Sequence, residues 1–296
     1  MTADAPATDR TWVDRAGGNR GGTLFFERLI TLSGLRPAYA MLFFAAWQYA
    51  LLDRKGAAAI RDFRSHLGLR TTHVDLYRHF HSFGMTLIDR FAFSCGLGGR
   101  FRTEHVNEAA IAAEVARKKG VILLGGHVGN WEFAGNLLTK RLGADVHVFM
   151  YGAGEGSARI APGVVVHHVQ GGASDTAVGI VNALRDGAIV CMLGDRFFGE
   201  QRTVVHDFLG EPARFPAGAM AIAAATGAAV IPCFTVRTSR YNYSFSAAEP
   251  IHVPAGRDQR EEGIYSGVGR YVAVLERTCR THPLQWYNFF RFWDKT

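Results

Sequence analysis

The chain has no run of about 18 uninterrupted apolar residues, so no segment reads clearly as a bilayer-spanning helix. Its longest run of consecutive lysines and arginines is three, Arg117-Lys118-Lys119, too short for a basic nucleic-acid arm, and no groove-reading motif accompanies its charge. Only four cysteines occur, Cys95, Cys191, Cys233 and Cys279. None is spaced from another as zinc ligands or a redox pair would be, so they read as small thiols in a reducing compartment. Internal repeats and low-complexity linkers are missing too. The first ten residues, MTADAPATDR, are acidic and polar, unlike the basic and then apolar start of a secretory signal.

What is present is a 296-residue chain that is 48% hydrophobic, enough to bury a substantial core. Its formal net charge is +7. Such a surface favours acidic partners: anionic lipid, an acidic carrier protein or nucleic acid. Residues 1–22 read as a loose lead-in. The stretch AYAMLFFAAWQYALL (38–52) is apolar on nearly all sides and is flanked by Arg28, Arg36, Arg54 and Lys55. Two readings stay open for it: a helix buried in the domain, or one that lies in a membrane surface with Trp47 and Tyr49 near the headgroups. Residues 57–94 carry apolar positions at helical spacing. The histidines there, His73, His79 and His81, do not share one helix face, so they read as packed or solvated rather than as metal ligands.

From about residue 100 short apolar runs alternate with helical patterns: VILLGG, ADVHVFMY, the end of SDTAVGIVNALRDGAIVCMLGD, and GAMAIAAATGAAVIPCFTVR. Continuous apolar strands alternating with helices predict an α/β fold, a mostly parallel sheet covered by helices on both faces. The stretch YNYSFSAAEPIHV adds antiparallel pairing. The expected organisation is a helical, membrane-associating region over 1–99 and an α/β body over 100–296.

One segment asks for more than packing. GGHVGNWEFAG (125–135) follows a buried strand and at once presents His127, Asn130 and Glu132. On an unbroken helix, residues five apart point roughly 140° away from each other. His127 and Glu132 can meet only if the helix starts after the histidine, with Asn130 as its N-cap. That would place a His–carboxylate pair at the carboxyl end of a parallel strand, where open α/β sheets tend to build sites. The carboxylate would fix the imidazole tautomer, and the other ring nitrogen could take a proton from a hydroxyl. No serine or cysteine lies beside it to serve as a nucleophile. A buried histidine beside a helix-capping glutamate is the alternative reading of the same spacing.

GGHVGNWEFAG resembles the His-x4-Glu motif of the lysophospholipid acyltransferase superfamily, in particular its lipid A lauroyl/myristoyl acyltransferase branch and relatives that acylate phosphatidylinositol mannosides. CMLGDRFF (191–198) and VVHDFLGEPARFPAGAMAIAAATGAAVIP (204–232) resemble two further blocks of that branch, in order and spacing. The resemblance implies direct transfer of a fatty acyl chain from an acyl carrier protein or acyl-CoA thioester to a hydroxyl or amine of a lipid or glycolipid. His127 would be the base and Glu132 its orienter. Backbone N–H groups over Gly126–Asn130, or Asn130 itself, would hold the oxyanion. Asp195, Arg196 and Arg214 are candidate substrate contacts, the arginines for a phosphate. No cofactor and no metal is implied, nor nucleic acid as a partner. The implied location is the cytoplasmic face of a bacterial inner membrane, as a peripheral or monotopic protein. A thioesterase activating water with the same pair, or a non-catalytic carrier- or lipid-binding protein, would fit the residues as well. The ending, HPLQWYNFFRFW (282–293), departs from the Trp-x-x-x-Arg-Arg-Phe finish of the lipid A enzymes. It reads as core packing, a wall for the acyl chain, or a membrane contact.

Overall fold

The computed structural model describes residues 28–131, 142–151, 164–169, 173–197 and 201–293. Glu132, the lead-in over 1–22 and most of the helix expected after Trp131 lie outside them. Among the described residues, three longer helices precede the sheet: α1 (Leu35–Leu52), α2 (Arg54–His66) and α3 (His73–Ser94). Asp53 caps α2 through the Gly56 N–H. Thr72 and Asp75 form a reciprocal capping box that starts α3. Helix α1 has two unlike faces, both apolar. Leu35, Ala38, Tyr39, Leu42, Ala46 and Ala50 are buried. Phe44, Leu51 and Leu52 are 73%, 62% and 71% exposed, so much of the opposite face is bare apolar surface. No helix among the described residues is long and apolar enough to cross a membrane.

The body follows as β1 (Arg102–Val106), α4 (Glu108–Ala116), β2 (Val121–Gly125), β3 (Val146–Tyr151), β4 (Val164–Val169), α5 (Ala173–Arg185), β5 (Ile189–Leu193), β6 (Thr203–Phe208), β7 (Glu211–Pro216), α6 (Gly218–Thr226), β8 (Ala229–Arg237), β9 (Asn242–Ala247) and α7 (Arg257–Thr281). Seven strands form one sheet in the order β1-β9-β8-β2-β5-β3-β4. Neighbours from β8 through β4 run parallel, while β9 pairs antiparallel with β8 and parallel with β1. The α/β expectation holds, including the antiparallel addition over 241–253. Strand β1 (RTEHV) carries no continuous apolar run, and composition alone does not find it.

Strand β2 explains its own composition. It is central, and every residue of it is buried. Ile122 and Leu124 enter the core shared with α5, α6 and α7, whereas Val121 and Leu123 enter the core shared with Ile111 of α4. Both faces are covered, so both sets of side chains must be apolar, each worth about 1.5–3 kcal/mol of burial. Strands β6 and β7 form a separate hairpin, closed by Leu209 and Gly210 at φ 55° and 93°. Two positive φ angles in a two-residue loop match the twist of a tight hairpin. The helices dock on the body through a buried carboxylate: Asp89 of α3 accepts from the hydroxyls of Tyr39 in α1 and Tyr243 in β9, and faces Arg237 at 3.5 Å.

Candidate active site

The register of β2 and β5 builds the site. Gly125 lies opposite Leu193, and the Gly194 N–H continues the ladder onto the Gly125 carbonyl at 2.9 Å. His127 and Asp195 are each two residues beyond those paired ends, so neighbouring parallel strands deliver them side by side at their carboxyl edge. Asp195 is fully buried. Its Oδ1 is 2.8 Å from His127 Nδ1 and its Oδ2 accepts the His127 backbone N–H at 2.8 Å. The Trp286 indole N–H also donates to Oδ2, at 3.0 Å.

Burial alone would raise the Asp195 pKa. The charge and hydrogen bond of His127, then Arg196 and the Trp286 N–H, outweigh it and bring the pKa down to about 2. An ionised acceptor on Nδ1 requires that nitrogen to carry the proton, which leaves the lone pair on Nε2. For His127 burial is the larger influence and Arg196 adds to it. Together they hold the imidazole pKa below its ordinary value against the pull of Asp195. The ring is therefore neutral near neutral pH and can accept a proton. Its open side meets Trp131, with ring centroids 5.1 Å apart.

The loop that carries His127 is held between two strands of chain. On one side the Asn130 N–H donates to the Thr235 carbonyl of β8 at 2.8 Å. On the other, residues 285–287 pair with it: Gly129 N–H to the Gln285 carbonyl at 2.8 Å, and Tyr287 N–H to the His127 carbonyl at 2.7 Å. Gly129 sits at φ 59°, and a Cβ there would be 2.1 Å from the Thr235 oxygen. These bonds bear on the oxyanion expectation. The N–H groups of His127, Gly129 and Asn130 are spent inside the protein, leaving at most those of Gly126 and Val128 in this stretch. The Asn130 side chain is fully buried and turned to the Tyr243 hydroxyl.

Arg196 follows Asp195 into the site, and its donors turn to the C-terminal segment: Nε to Asn288 Oδ1 at 2.6 Å and Nη2 to the Tyr287 carbonyl at 2.7 Å. Its guanidinium lies over the Phe290 ring. Burial lowers its pKa to about 10, against the pull of Asp195, and it remains charged. Arg214 is exposed on β7 between buried Ala213 and Phe215. It faces away from the Phe208–Phe215 side of the hairpin that packs on Trp286 and Phe292, so the structure does not bring it to His127. The missed residues are Trp286 and His79. His79 is fully buried in α3 and its Nε2–H donates to the Trp286 carbonyl at 3.0 Å. Only the clustering of Gln285, Trp286 and Asn288 in an otherwise aromatic tail hinted at a polar task there.

His79 also carries a prediction. Burial lowers its pKa from 6.5 to about 4 despite the Trp286 bond. The unfolded chain takes up a proton as pH falls through 6.5 while the folded chain does not. Stability is therefore lost between about pH 6.5 and 4, by roughly 3 kcal/mol from this group. Urea melts of His79→Gln at pH 7 and pH 4.5 are expected to differ less than those of the unsubstituted protein. An equal pH dependence in both would refute it.

Comparison with known proteins gives two findings. The model of a family described as bacterial lipid A biosynthesis acyltransferase matches residues 80–295. Phosphatidylinositol mannoside acyltransferases from two strains of Mycobacterium tuberculosis, CDC 1551 / Oshkosh and ATCC 25618 / H37Rv, are 32% identical to the chain over 131 residues. The aligned stretch covers 42% of this chain and 40% of each relative.

Proposed function

The chain belongs to the bacterial lipid A biosynthesis acyltransferase family, and from that premise we propose that it moves a fatty acyl chain from a thioester, of acyl carrier protein or coenzyme A, to a hydroxyl or amine of a lipid or glycolipid. The observation that carries this reading is the 2.8 Å contact between His127 Nδ1 and a buried, ionised Asp195. It leaves Nε2 as a base at the mouth of the sheet. In the proposed step, Nε2 takes the acceptor hydroxyl proton as the oxygen attacks the thioester carbonyl. The tetrahedral intermediate collapses with cleavage of the C–S bond, and the imidazolium returns the proton to the departing sulfur. The contact on Nδ1 comes from Asp195, and the orienting role is therefore proposed for Asp195, with Glu132 lying outside the described residues. Glu132 is proposed as a second carboxylate of the motif, and its Gln variant separates the two. The names of the two mycobacterial relatives make the hydroxyl of a phosphoglycolipid the acceptor class to try first.

The test is acyl transfer by purified protein from labelled acyl carrier protein and acyl-CoA thioesters to a total lipid extract, beside His127→Ala. A labelled lipid made by the unsubstituted protein and lost in the variant supports the reading. Labelled free fatty acid without acceptor would replace it with a thioesterase. Carrier binding without turnover would replace it with a binding protein.

We also propose that the exposed face of α1, with Phe44, Leu51 and Leu52 beside Arg54 and Lys55, rests on the cytoplasmic leaflet as a peripheral contact. Phe44→Ser with Leu51→Ser is expected to reduce flotation with anionic vesicles several-fold at an unchanged melting temperature, since both side chains are already in water. Equal flotation would refute this placement.

A further inference from the structure

The dyad has a third member in its hydrogen-bond geometry, and it comes from the chain's last segment. The Trp286 side chain is 1% exposed and boxed by the rings of Phe63, Phe208 and Phe292, at centroid distances of 4.7, 5.3 and 5.0 Å. A tryptophan there satisfies packing as any large ring would. Its N–H is the exception: in a closed apolar box it must find an acceptor, and it meets Asp195 Oδ2. That oxygen is also held by the His127 backbone N–H. With Oδ2 fixed from two directions, the carboxylate plane cannot rotate, and Oδ1 stays aimed at Nδ1. The backbone around Trp286 is fixed in turn by the His79 bond to its carbonyl and by the pairing of residues 285–287 with the His127 loop.

We infer that Trp286 is a positioning residue whose indole N–H sets the orientation of Asp195, and through it the tautomer and basicity of His127. The inference rests on the proposed role of His127 only for its effect on turnover. The indole donor draws negative charge from the carboxylate. Without it, Asp195 stabilises the imidazolium more strongly and rotates more freely. The first change raises the His127 midpoint and moves the acid limb; the second lets the imidazole lose its aim, and that loss of aim is what lowers turnover.

The experiment uses 15N-histidine-labelled full-length protein, with the His127 ring followed by NMR across pH in the unsubstituted protein and in Trp286→Phe, which keeps an aromatic ring and removes the N–H. The expected result is a His127 midpoint raised by roughly half a unit or more. In the transfer assay kcat is expected to fall roughly 10–100-fold with KM little changed, and its acid limb to move up in pH. Should Trp286→Phe fail to fold, the benzothiophene analogue of tryptophan at position 286 keeps the bicyclic shape and lacks the donor. An unmoved His127 midpoint in a folded variant would overturn the inference and leave Trp286 a packing residue. If His127→Ala proved fully active the base reading would fall, whereas the shifted midpoint would still establish positioning.

Discussion

Asp195→Asn is expected to lower kcat by roughly 10³–10⁴-fold while the protein stays folded and still binds its thioester donor. The substitution is nearly isosteric. Three donors now converge on Asp195: the His127 backbone N–H, His127 Nδ1–H and the Trp286 N–H. An amide can present its NH₂ to only one side, and each orientation has a cost. If NH₂ faces Nδ1, the imidazole must move its proton to Nε2 and no lone pair remains for the acceptor hydroxyl. If NH₂ faces the other two donors, N–H opposes N–H inside a buried site. Both orientations remove the charge that stabilises the imidazolium. The pH profile offers a second reading of the same pair. With the His127 pKa held below its ordinary value, kcat/KM is expected to rise with pH through a limb below 6.5 and to be flat by neutrality. Asp195→Asn with activity within tenfold of the unsubstituted protein would remove Asp195 from the mechanism and return the orienting role to Glu132.

Gly129→Ala is expected to cost at least about 3 kcal/mol of stability, and with it the His127 loop. Two independent penalties meet at this residue. Its φ of 59° is left-handed, a conformation that costs an alanine roughly 1–2 kcal/mol. The added methyl would lie 2.1 Å from the Thr235 carbonyl oxygen, a backbone atom of a buried strand that cannot yield. The loop would have to lift off β8, breaking the Asn130 bond to Thr235 as well. For a chain of this size that loss corresponds to a fall in Tm of about 6–12 °C by calorimetry. A variant melting within two degrees of the unsubstituted protein would mean that the loop has room that this packing denies it.

The uneven legibility of the site has a physical cause. His127 was visible because local chemistry is written locally: an apolar strand, glycines, a histidine and an acid within eleven residues. Asp195 became a candidate contact through the resemblance of CMLGDRFF to a block of the family. Its bond to His127 was not legible. That bond depends on β2 and β5 being neighbours in register, and nothing in either segment names its partner. The same holds for Trp286, whose place beside Asp195 is settled by how the tail returns over the sheet. Arg196 was read for its charge and reach, yet its hydrogen bonds go to Tyr287 and Asn288, partners supplied by the same return. The parallel order of the central strands followed from composition because burial on both faces forces continuous apolar runs. Strand β1, with its alternately exposed pattern, sits at the sheet's edge and escapes that rule. The segment over 38–52 offered a choice between buried and lipid-facing, and the helix has one buried side and one side of exposed apolar residues.

The pairing of the His127 loop with residues 285–287 sets an order on biosynthesis. The seven sheet strands are all synthesised once Ala247 has been added, before α7 is made. The loop bearing the base cannot settle then, because one of its two flanking partners is still inside the ribosome. Assembly of the dyad is thereby deferred until residues 285–287 have emerged. A nascent chain that ends at α7 has all seven sheet strands and lacks the pairing that aligns the imidazole, so the reactive centre comes into being only once residues 285–287 join the fold.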